Sequence, residues 1–157
     1  MCDYSLYGIP NRLAAEGEQL VVHRFPTRSI GLACSADLQA REDRSERKPV
    51  GLWSALRSLF SSGVERKTLP AVCIPNGARL LLRDIPLDIQ RELDIAAEEE
   101  VTFVQLGNAA YTYRDGVRFG NGREILLQRL AEGQRADVLS LALVEEPVEQ
   151  PRVAEWR

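Results

Sequence analysis

The sequence predicts a mainly β fold, a small antiparallel β-barrel or sandwich, with a helical excursion and one further short helix. Two observations carry this. Between Val101 and Leu143 the runs VTFVQL, AYTYRDGVRF, REILLQRL and RADVLSLAL alternate apolar with polar residues, and the turns GNG and AEGQ separate them. Upstream, Gln19–Phe25, Ser29–Cys34, Ala71–Ile74 and Arg79–Arg83 read as four more short strands. The breaks between runs are short, so neighbouring strands are expected to be antiparallel, about seven in number.

Each element has its own signal. Gly8, Pro10 and Asn11 read as breakers in a mixed start, and EGEQ at 16–19 as a turn. Pro26 and Thr27 separate the first two strands, and Pro26 lacks a ladder donor, which suits a strand end. On the strand LVVHRF, Val21, His23 and Phe25 share one face, read as inward. PNG at 75–77 is a turn, and Pro86–Leu93 a short helix with Leu87, Ile89, Gln90 and Leu93 near helical spacing. GNG at 120–122 lies between strands and reads as a hairpin turn, not a phosphate loop.

Residues 1–145 are expected to form one domain, with 37–70 a charged loop and amphipathic-helix insertion and 146–157 an extended tail. Asp37–Lys48 has no apolar periodicity after Leu38 and reads as an exposed loop. Residues 41–67 carry seven basic groups against four acids, so the insertion is +3 and the remainder of a chain of net charge −3 carries −6. Within the insertion, Leu52, Trp53, Leu56, Leu59 and Phe60 fall at i, i+1, i+4, i+7 and i+8, one face of a helix. Pro49 suits its first turn and Gly63 its stop. Such a short helix is marginal alone in water, so something must cover that face.

A chain of 157 residues needs no metal or disulfide to fold, since a domain of this size buries about 70% of its unfolded surface. A net charge of −3 offers no general attraction to nucleic acid or anionic membrane. No apolar run approaches the ~20 residues of a membrane span, and MCDYSLYGIPNR lacks the basic and apolar regions of a secretory signal. Three widely spaced cysteines, Cys2, Cys34 and Cys73, argue against a disulfide framework and for the cytoplasm.

Met1–Leu6 (MCDYSL) and Leu126–Leu139 (LLQRLAEGQRADVL) resemble the opening and closing runs of a group of bacterial proteins to which no activity attaches. The resemblance covers the two ends more firmly than the middle. It implies no mechanism, and it points to Cys2, Arg129, Glu132, Gln134 and Arg135.

No Walker A, H-E-x-x-H or G-x-S-x-G motif is present. Cys2 is the one weak catalytic candidate. With Met1 removed, its thiol would sit beside an α-amine able to act as base. Class II glutamine amidotransferases and the proteins that cross-link abasic DNA begin in this way, but with Met-Cys-Gly, whereas this chain has Met-Cys-Asp. Asp3 disfavours the thiolate, so a structural role is the expectation. His23, the one histidine, is more often a core residue than a base in such a strand. Without a close Cys or His pair, no metal is expected, and no cofactor either. Arg114, Arg129 and Arg135 form a weak anion-binding candidate, against a salt-bridged outer face. The balance favours a non-catalytic interaction protein or accessory subunit of a larger bacterial assembly. It would dock a protein partner through Leu52, Trp53, Leu56, Leu59 and Phe60, with nucleic acid unlikely as a partner and membrane contact at most peripheral. An N-terminal-cysteine enzyme acting on an amide or aldehyde, and a small anion- or metabolite-binding β-barrel, are the alternatives.

Overall fold

The computed structural model describes residues 6–46, 68–107, 109 and 112–141. The candidate set Leu52, Trp53, Leu56, Leu59 and Phe60, together with Cys2 and the tail, lies outside the described residues.

Among the described residues the chain forms β1 (Asn11–Leu13), β2 (Gln19–Arg24), β3 (Ile30–Cys34), α1 (Ser35–Glu46), β4 (Ala71–Cys73), β5 (Arg79–Leu82), α2 (Leu87–Leu93), β6 (Glu99–Gln105), β7 (Asp115–Phe119), β8 (Glu124–Leu126), the 3-10 turn Leu127–Arg129, and β9 (Arg135–Ser140). Seven strands make one antiparallel sheet in the order β3-β2-β9-β5-β6-β7-β8. The fold is mainly β, as the alternation predicts. Among the described residues no ladder joins β3 to β8, so strand pairing there does not close the sheet.

Four expectations about the elements themselves are corrected. The segment from residue 101 to 143 is not one meander: β6, β7 and β8 are neighbours, but β9 lies between β2 and β5. Alternation marks a strand without naming its neighbour, so a long return to the sheet centre leaves no local trace. Second, REILLQRL is a three-residue strand followed by a 3-10 turn. Third, 35–46 is a helix and not a loop. Its residues are almost all polar, so the apolar stripe by which helices are recognised is missing; Leu38 alone packs a hydrophobic side chain inward. Fourth, Asn11–Leu13, read as a breaker region, is a strand parallel to β4, sixty residues on, with Asn11 opposite Ala71.

The core explains the sheet. Leu20 and Val22 of β2, Leu80 and Leu82 of β5, Val101 and Phe103 of β6, Val117 and Phe119 of β7, and Ala136 and Val138 of β9 all point to one buried layer. Ile85, with Ile89 and Leu93 of α2, joins that layer. The inward face of β2 is therefore Leu20–Val22, not Val21–His23–Phe25 as the sequence suggested. A second cluster explains the mistake. Leu6, Ile9, Phe25, Ala33, Leu69 and Ala71 pack together with Leu38, so the β2–β3 hairpin has apolar residues on both faces. A period of two then cannot say which face is the core.

The outer face is laced with ion pairs. Arg83 binds Asp137 at 2.7 Å and Glu98 at 2.9 Å, and Arg118 meets Glu124, its register partner, at 2.7 Å. Arg79 pairs with Glu100. Such exposed, solvent-screened pairs contribute little to stability. Cys73 is disulfide-bonded and Cys34 is free, so the odd cysteine count does not exclude a bridge.

Candidate functional site

A partly buried polar cluster on the described residues is the corner formed by Arg12, Glu18 and Cys34. Three elements meet there: β1 supplies Arg12, the turn before β2 supplies Glu18, and β3 ends in Cys34. The turn forms because Gly17 adopts φ +78° and Glu18 bonds back across it, its carboxylate accepting the Ala15 N–H at 3.0 Å. Arg12 donates through both terminal nitrogens to the same carboxylate, one of them at 3.0 Å. The Cys34 thiol is near enough to favour the charged form of that carboxylate as well.

These donors determine the chemistry. The Arg12 hydrogen bonds come first, then the Ala15 N–H and the thiol, and together they hold the Glu18 carboxyl at a pKa of about 2 against the opposing effect of burial. A carboxylate that remains ionised to such low pH takes up a proton poorly. It is a weak base toward Cys34. The corner is better described as a clamp tying β1 and the β2 turn to the end of β3, immediately before α1 begins.

His23 is half-buried on β2 and meets the Phe25 ring edge-on, centroids 5.0 Å apart at 87°. Burial pushes its pKa below the ordinary histidine value, more than Glu132 raises it. It lies on the face opposite the main core.

The anion-binding candidates are separated by their partners. Arg129 holds Glu92 through both terminal nitrogens, at 3.0 and 2.6 Å. Arg135 holds Asp84 at 2.7 Å. Arg114, half-buried, is engaged too, and its backbone carbonyl accepts the Leu106 N–H at 2.7 Å. Among the described residues no hydrogen bond draws the three to one point, and two of the guanidinium forks are already filled by carboxylates. Asp84 and Glu92 are in turn held below the usual carboxylate range by these hydrogen bonds.

The Arg12–Glu18–Cys34 corner is not legible in the sequence. Its members lie six and sixteen residues apart, with a turn and a hairpin between them, and no motif spacing marks it. The same holds for Gln128, whose side-chain amide reaches Ile30 across 98 residues.

Among the described residues no group of three or more His, Cys, Asp or Glu side chains is placed to hold a metal ion. No helix among them is long and apolar enough to cross a membrane. No family model matches the chain, and neither a curated protein nor a solved structure matches it.

Proposed function

We propose that the protein is a non-catalytic interaction protein, an accessory subunit of a larger bacterial assembly. It docks through the apolar set Leu52, Trp53, Leu56, Leu59 and Phe60 of its insertion. The observation that supports this is where the insertion is rooted. Leu38 on one side of it, and Leu69 and Ala71 on the other, belong to the second hydrophobic cluster, on the outer face of the β2–β3 hairpin. The described residues on either side of 47–67 thus share a packed base separate from the main core. Around that base, Glu18 is committed to Arg12, and the arginines of the sheet face carboxylates.

Two finer readings belong with this one. We read the body as barrel-like, because the two ends of the sheet meet through Gln128 and Ile30. We place the protein in the cytoplasm on the wide spacing of its three cysteines, although a bonded Cys73 fits an oxidising compartment better.

The test is size-exclusion chromatography with light scattering on protein purified from its own host, comparing the parent chain with a Trp53→Asp/Phe60→Asp variant. The expected result is a stoichiometric companion, or a defined oligomer, that the variant loses while keeping its circular dichroism spectrum. A folded variant with the same companions and the same mass would refute the docking role.

A further inference from the structure

The two outermost strands of the seven-stranded sheet are β3 and β8. Each should leave a row of backbone donors and acceptors unpaired. At Ile30 this does not happen. Ile30 sits opposite Arg24 on β2, while the hydrogen bonds closing the hairpin fall on the next pair, where the Phe25 N–H binds the Ser29 carbonyl at 2.9 Å. In an antiparallel ladder these positions alternate, so the Ile30 N–H and C=O point away from β2. Gln128 meets both. Its Oε1 accepts the Ile30 N–H at 3.1 Å, and its Nε2 donates to the Ile30 carbonyl at 2.8 Å. A carboxamide carries the same donor and acceptor as a peptide group, so one side chain stands where a neighbouring strand would be. The orientation of the amide is settled by its partners, because the flipped form would set donor against donor.

This junction is narrow. Among the described residues, those two are the hydrogen bonds joining β3 to residues 124–131. On its other edge β3 is held along its whole length, with five register pairs from Leu20–Cys34 to Arg24–Ile30. Ile30 is buried at 6% exposure, so its backbone groups have little water to turn to once the amide leaves.

We propose that Gln128 is a latch, and that the seam between β3 and the turn Leu127–Arg129 is the line along which the native protein opens first. Opening there frees the outer edge of β3 while the β5–β6–β7 centre stays paired. Because β3 runs directly into α1, the seam also bears on how firmly α1 is held.

Residue-resolved native-state hydrogen exchange on the full chain tests this. Gln128→Met keeps the length of the side chain and removes both hydrogen bonds. Exchange of the Ile30 amide should rise about ten- to a hundredfold, the range that loss of one or two such bonds implies. The amides of Leu80, Phe103 and Val117 should change less than about threefold, allowing for a small global loss. An unchanged Ile30, or an equal rise at all four positions, overturns the proposal. The unaltered protein gives an independent reading should the variant not fold. There the Ile30 amide should open with a smaller free energy than Phe103, and equal values would refute a local seam.

Discussion

The hairpins at the two ends of the sheet, β2–β3 and β7–β8, turn by the same hydrogen-bond pattern with different chemistry. In the first, Phe25 N–H binds Ser29 C=O at 2.9 Å and Arg28 N–H binds Phe25 C=O at 2.8 Å. In the second, Phe119 N–H binds Arg123 C=O at 2.8 Å and Gly122 N–H binds Phe119 C=O at 2.9 Å. Both are three-residue loops whose last residue is left-handed. At β7–β8 that residue is Gly122, φ +82°; at β2–β3 it is Arg28, φ +68°. A left-handed side chain costs about 1–2 kcal/mol, and Arg28 tolerates it with help. Pro26 presets the first loop position, and the Arg28 carbonyl accepts from Arg24 at 3.1 Å. The strands differ in the same way. A Cβ on Gly116 would lie 2.6 Å from the Ile125 backbone oxygen, whereas one on Gly31 would meet only side chains, Leu6 at 2.9 Å and Phe25 at 3.2 Å. One hairpin is specified by glycines against backbone; the other relies on neighbouring side chains that can adjust.

Several substitutions probe that difference. The largest effect is expected at Gly116→Ala, a loss of about 2–3 kcal/mol, because β8 itself must move; urea denaturation measures it. Gly122→Ala follows, at about 1–2 kcal/mol, read as a lowered melting temperature. Gly31→Ala should cost about 1 kcal/mol, the order of an off-rotamer side chain, since the end of Leu6 can rotate away. If Gly31→Ala cost as much as Gly116→Ala, the contrast between the hairpins would fail. Arg28→Gly should stabilise by about 0.5 kcal/mol, the strain relieved less the entropy glycine brings. A loss would show that the Arg28 side chain has a task of its own.

Acid separates the two ends more finely. Glu18, beside the end of β3, has its folded pKa lowered from 4.5 to about 2. A depressed carboxyl contributes stability that is fully present above pH 4.5 and disappears as pH falls toward 2. The amount is about 0.5 kcal/mol, because Arg12 is 38% exposed and the pair is screened. Glu18→Gln should flatten the pH dependence of unfolding across that window. A slope identical in both proteins would mean that other carboxyls carry the acid response.

The legible parts of the fold were those with local causes. PNG at 75–77 and GNG at 120–122 are turns because their glycines, Gly77 and Gly122, take φ +87° and +82°. Leu80 and Leu82, and Val101 and Phe103, alternate with less buried residues because they face the main core. The place of β9, the parallel pairing of Asn11 with Ala71 and the facing of Phe25 rest on partners tens of residues away, and no local pattern encodes them. The Arg12–Glu18–Cys34 corner was missed for the same reason. Reading His23 with the core failed because Phe25 is apolar for a second cluster rather than the first.

By itself the sequence determined which segments extend and which turn, since side-chain alternation and glycine conformation act within a few residues. It also marked the apolar face from Leu52 to Phe60, the basis of the proposed docking role. Tertiary structure alone decided which strand lies beside which and that Arg12 holds the Glu18 carboxyl below the usual carboxylate range. It alone brought Gln128 to the edge of β3. Those outcomes depend on burial and on hydrogen-bond partners that meet only once the chain has folded.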